Sequence, residues 1–181
     1  NKKDFDNIIL ESKTHYAVLN LENNDLTVTG CEYFVLSDAQ IVNVYPTEER
    51  VTVGRDRDMR FSGRIIAGLF DFVSHKCDFN YESFNVRMED IDSLIMYVED
   101  KNGPQNIYGE YRLSKVQSPI EDLGGTLYID MPWNKSGKID NPKFPYFSSF
   151  EGGHVYYDHP ETFNRHYNRS KFFYALDNFT I

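Results

Sequence analysis

Alanine, the strongest helix former, occurs only four times in 181 residues, which argues against a helical bundle. There are only two cysteines, Cys31 and Cys77, too few for a disulfide-built scaffold. Neither lies in a C-x-x-C pair, and at this length no staple is needed, so free thiols are expected. No apolar run approaches the roughly 20 residues of a membrane-crossing helix. The longest runs from Ile65 to Phe70. No signal peptide is visible. Basic residues are the minority, 19 against 28 acidic, for a net charge of −9. Such a surface repels nucleic-acid backbones and anionic membranes, so neither nucleic acid nor membrane insertion is expected. The acidic excess lies in residues 1–130, since residues 131–181 carry six basic and five acidic side chains. Also missing are a G-x-S-x-G elbow, a P-loop, an H-E-x-x-H helix and a dinucleotide fingerprint, and no cofactor is expected.

What is abundant points to strands. Val, Ile, Thr, Tyr, Phe and Trp make up 60 of the residues, the types that fit a pleated, half-buried surface. Val, Ile, Leu and Phe reach 27%, above the level of disordered chains. The composition predicts an all-β fold with little helix. Residues 1–13 read as a polar lead-in and 14–181 as one β-rich domain. From His15 onward, Ala17, Leu19 and Leu21 mark the cleaner buried face of a first strand. Leu26 to Thr29, Tyr33 to Leu36, Ile41 to Tyr45 and Val51 to Val53 follow, punctuated by Asn, Asp and Gly. Phe70 and Phe72, then Phe79 and Tyr81, alternate with Asp71, Asp78 and Asn80. Gly63 and Gly68 fall where bulges or close backbone approaches are expected. Tyr108 to Val116 fits either a strand or a short helix, and Phe163 to Ser170 one or two helical turns. Short, closely spaced strands suit a β-solenoid or a two-sheet β-sandwich, and the solenoid is the preferred expectation. Open solenoid ends would drive dimerisation or end-to-end association.

Pro132, Pro142, Pro145, Gly137, Gly152 and Gly153 break the pattern over 132–153, which is expected to be a long aromatic loop. Exposed rings near Asp, Asn and Arg make sugar platforms, and Trp133, Tyr146, Tyr156 and Tyr157 are the candidates for ligand binding. Burial in the core is the competing role for such rings. His154, Asp158 and His159, with Glu161 and His166 nearby, are the candidate metal ligands, imidazole and carboxylate being suited to zinc. In an alternating strand His154 and Asp158 share a face. Asp56 and Asp58 could hold calcium, but depart from the EF-hand pattern nearly throughout. The sequons at Asn134, Asn168 and Asn178 are close to the number chance supplies.

Two stretches carry a resemblance. They are Phe61-Ser62-Gly63-Arg64-Ile65-Ile66-Ala67-Gly68-Leu69-Phe70-Asp71-Phe72 and Gly125-Thr126-Leu127-Tyr128-Ile129-Asp130-Met131-Pro132-Trp133-Asn134-Lys135-Ser136-Gly137. Over the last two thirds of the chain, they resemble segments of very large, β-rich, uncharacterised envelope proteins of Bacteroidetes-type bacteria. The resemblance implies an excised piece of a longer protein, an extracytoplasmic location and a non-catalytic role. The lack of an initial Met and the strand-like end at Ile181 point to the same expectation. The expected function is therefore a structural or interaction domain, whose partners are neighbouring domains of the parent protein or other envelope proteins. A glycan-binding module is the alternative. A carbohydrate-active enzyme is the third reading, and needs two carboxylates facing each other about 5–10 Å apart.

Overall fold

A computed structural model describes residues 16–158 and 167–181. The lead-in 1–13 and residues 163–166 of the expected helical turns at 163–170 lie outside the described residues, and 167–170 form a bend and turn. The described chain forms thirteen strands and one short 3-10 turn at Thr47–Glu49. In order they are β1 (Ala17–Asn20), β2 (Asp25–Thr29), β3 (Phe34–Ser37), β4 (Val42–Pro46), β5 (Arg50–Val53), β6 (Met59–Ala67) and β7 (Phe70–Asn80). Then come β8 (Asn85–Glu99), β9 (Leu113–Lys115), β10 (Leu123–Tyr128), β11 (Tyr146–Glu151), β12 (Gly153–Tyr156) and β13 (Phe173–Leu176). Eleven of them form one sheet in the order β1-β2-β5-β6-β7-β8-β10-β11, with β3–β4 attached to β6 and β9 to β8. β12 and β13 pair with each other. No helix among the described residues is long and apolar enough to cross a membrane.

The three long strands show how the sheet closes over a core. In β6, Met59, Phe61, Ile65 and Ala67 are buried while Arg60 and Arg64 are exposed, the period-2 pattern of a half-buried strand. In β7 the buried set changes phase, from Phe72 and Ser74 to Cys77 and Phe79. In β8 it changes again, from Val86 and Met88 to Ile91 and Leu94. These slips share one transverse line. Gly63 opposes Ser74, Ser74 opposes Ile91, and Ile91 opposes Leu123, with register shifts beside each. A line of bulges bends a sheet sharply. Here it creases the long strands, so that β6 pairs with β5 near Met59 and with β4 from Gly63 onward. The two halves fold over a single core. Phe72 packs on Phe147 at 5.0 Å, and Phe34 meets Phe61 edge-on at 5.4 Å.

The all-β expectation holds, and the bent sheet is sandwich-like. Solenoid coils are not what the described residues show, because a solenoid stacks strands in parallel register whereas every named strand pair here is antiparallel. The association expected from solenoid ends therefore loses its premise. β1 also differs from expectation: Leu19 is 53% exposed and Leu21 80%, because β1 lies at the sheet's edge, away from the core. Residues 132–145 are irregular as expected, but Tyr146–Glu151 is a strand that pairs with β10. Flanking Pro and Gly obscured its alternation. Of the ambiguous stretch 108–116, Leu113–Lys115 is a strand. Cys31 and Cys77 are both buried and unbridged, and burial pushes the Cys77 thiol up to about 12.

Candidate functional site

The outward residues of the strands are brought into line by register. Val18 opposes Thr27, Thr27 opposes Thr52, Thr52 opposes Arg60, and Arg60 opposes Asp78. Asp78 opposes Arg87, Arg87 opposes Thr126, Thr126 opposes Ser148, and Ser148 opposes Thr180. From Thr27 to Thr180 this is one polar row on the face away from the core. Hydroxyls touch at both ends, with Thr27 and Thr52 Oγ1 atoms 3.3 Å apart and Ser148 Oγ 3.1 Å from Thr180 Oγ1.

A cleft of about 490 Å³ lies over the middle of the row, lined by Arg60, Asp78 and Arg87 and, one step along the strands, by Asp58, Asn80 and Asn85. Four of these side chains are held by contacts within the protein. Asp58 accepts from the Tyr81 backbone N–H at 2.8 Å and from Asn80 Nδ2 at 3.1 Å. Arg60 pairs with Asp25. Arg87 lies over the Phe150 ring at 4.2 Å and donates from Nε to Glu89 at 3.2 Å. An Arg carries five N–H donors, so both guanidiniums keep donors for a ligand. Their side chains are 56% and 52% exposed. The row through Asn80 and Asn85 continues to Tyr128 and Tyr146, which stack at 4.7 Å and 13°. Tyr128 is paired on its other side with Asn85. Arginines and aspartates alternate in this groove, an arrangement suited to hydrogen-bonding an uncharged polar ligand.

The sequence-based candidates fall in several places. Tyr146 stacks on Tyr128 and meets Phe144 at 5.1 Å, so it backs the Tyr128 ring. Trp133 is 69% exposed on the loop after β10. Tyr157 lies just past β12 and is exposed. Tyr156 belongs to a fastening cluster where β12 meets the main sheet through the Glu121–His154 bridge. Its hydroxyl donates to Asp122 at 2.6 Å, which raises its pKa. The Arg169 guanidinium covers its ring at 3.5 Å, so that face is not a bare platform. Arg169 also pairs with Glu121 and lies 3.6 Å from Asp158. His154 Nδ1 is 3.8 Å from Asp122. Asp158 lies beyond the end of β12, so strand alternation does not place it beside His154. His159, Glu161 and His166 lie outside the described residues. Among the described residues no three His, Cys, Asp or Glu side chains group to hold a metal ion. Both oxygens of Asp58, half of the calcium candidate, are already accepting hydrogen bonds. The row residues Arg60, Arg87, Thr126 and Ser148 were not singled out from the sequence. The available signal was their place as the polar alternates of their strands.

No protein-family model, curated protein or solved structure matches the chain.

Proposed function

We propose that this chain is a non-catalytic binding domain whose outer sheet face holds a glycan chain lying across the strands. The observation that carries this is the register-aligned row Thr52–Arg60–Asp78–Arg87–Thr126, whose middle members Arg60, Asp78 and Arg87 line an open cleft. Arg, Asp and Asn groups suit sugar hydroxyls, and Tyr128, in the neighbouring row beside Asn85, supplies an aromatic ring of the kind that packs on the C–H face of a sugar. A small set of positioned polar groups beside an aromatic ring is the usual chemistry of a ligand site. An extracytoplasmic setting, implied by the resemblance to envelope proteins, would bring the groove to such chains. The reading requires no cofactor. Calorimetric titration with linear gluco-, xylo-, manno- and chito-oligosaccharides tests it. Binding is expected for at least one series, and Arg87→Ala should weaken it about tenfold, the effect of losing charged hydrogen bonds. No heat with any series, or equal affinity in Arg87→Ala, overturns the assignment.

A second reading, docking to a neighbouring domain or envelope protein, is favoured by β1. Among the described residues it is an edge strand, and Val18 and Leu19 expose apolar side chains on opposite faces. Such an edge invites strand addition. Light scattering across a concentration series should show self-association that Leu19→Lys abolishes. A strict monomer at every concentration counts against an adhesive edge.

A further inference from the structure

We infer that the groove takes an internal stretch of a long linear glycan, and neither a single sugar nor a chain end; this rests on the glycan-binding reading above. A site for a chain end needs a wall that stops the chain. Here the row runs on past the cleft in both directions, to the Thr27–Thr52 hydroxyl pair on one side and the Ser148–Thr180 pair on the other. The Tyr128 and Tyr146 rings flank this track. Tyr128 and Tyr146 stand two residues from Thr126 and Ser148 on their strands, and so on the same face and to one side. Phe150, two residues beyond Ser148 in the other direction, lies under the guanidinium of the row residue Arg87 and anchors it.

The length of the track follows from strand spacing. Neighbouring strands lie about 4.8 Å apart, close to the advance of one pyranose along an extended chain. From Thr52 to Ser148 the row crosses β5, β6, β7, β8, β10 and β11, about one sugar per strand. The ligand class is therefore an extended, uncharged polysaccharide lying roughly perpendicular to the strands.

The test is a length series, from disaccharide to octasaccharide, of each linear series named above. It is measured with the wild type, with Ser148→Ala and with Thr52→Val, and includes a hexasaccharide whose reducing end has been reduced. Affinity is expected to rise at least tenfold from the disaccharide to about the hexasaccharide and then level off. End reduction should leave it unchanged. Ser148→Ala and Thr52→Val should weaken the hexasaccharide while leaving the disaccharide within twofold. Equal affinity for all lengths, or loss of binding on end reduction, overturns the internal-chain assignment while leaving glycan binding intact. Absence of binding at every length overturns both.

Discussion

Gly63→Ala is expected to lower the stability of this protein by about 4 kcal/mol or more, a large share of what a domain has to lose. Gly63 has φ of +148°, a conformation that L side chains rarely adopt. A Cβ built there would lie 2.3 Å from the Tyr45 carbonyl oxygen, 2.9 Å from Pro46 Cα and 2.9 Å from Thr47 N. All three are backbone atoms, so no side-chain rotation relieves the clash. To make room, β4 must leave β6, with which it pairs from Val42 to Pro46. Val42, Val44 and Ile65, all fully buried, would separate with it. Gly63 also stands on the crease, where the sheet bends for its halves to share one core. The urea midpoint is expected to fall by about 2 M, given a slope near 2 kcal/mol per molar. Gly54→Ala is the control. Its nearest atom, the Asp58 carbonyl oxygen, is an ordinary contact at 3.5 Å, and a change within about 1 kcal/mol is expected. Equal midpoints for the two variants would show that the close approach at Gly63 does not exist in solution.

Asp130→Ala should cost about 3–5 kcal/mol, by a different route. Asp130 is almost fully buried just past β10 and accepts three hydrogen bonds. Its Oδ1 accepts from the Met131 N–H at 2.6 Å, and its Oδ2 from Gln40 Nε2 at 3.1 Å and Asn134 Nδ2 at 2.9 Å. Asn134 in turn donates to the Ile139 carbonyl at 2.8 Å and accepts from the Ile139 N–H at 3.1 Å. This buried network ties the loop after β10 to the β3–β4 turn, where Ala39 leaves Gly137 no room for a side chain. Removing the carboxylate leaves buried donors unmatched, at about 1–3 kcal/mol for each. The loop should then loosen, and trypsin should cut at Lys135 and Lys138 at denaturant concentrations the wild type resists. Asp130→Asn keeps one acceptor but turns an amide toward existing donors, so an intermediate loss is expected. If Asp130→Ala unfolds with the wild type and resists trypsin equally, the loop is held by its apolar packing alone. The same network removes Asn134 from use as a sequon, since its side chain is buried and bonded at both ends.

The amino-acid sequence determined the class of this protein through chemistry that is local. Scarce alanine and abundant β-branched and aromatic residues exclude a helical fold, and the period-2 alternation of Phe79 and Tyr81 with Asp78 and Asn80 is readable one strand at a time. Gly63 was legible as a special backbone position because glycine inside a strand signals a bulge or close approach. Alternation gives the parity of each strand but not which residue opposes it on the next, and a slip of one residue turns every side chain over. For that reason the sequence drew attention to rings, and Tyr156 proved to be covered by Arg169 and Tyr146 to be backed by Tyr128 and Phe144. It passed over Arg60, Arg87, Thr126 and Ser148, which are ordinary polar alternates until long-range pairing lines them up. The choice of bent antiparallel sheet over solenoid coil was made in the same way. It depended on phase slips at Ser74, Ile91 and Leu123 falling on one transverse line, a coincidence between strands that no single strand encodes. Local propensity therefore fixed what each segment becomes, and tertiary register alone decided which side chains meet.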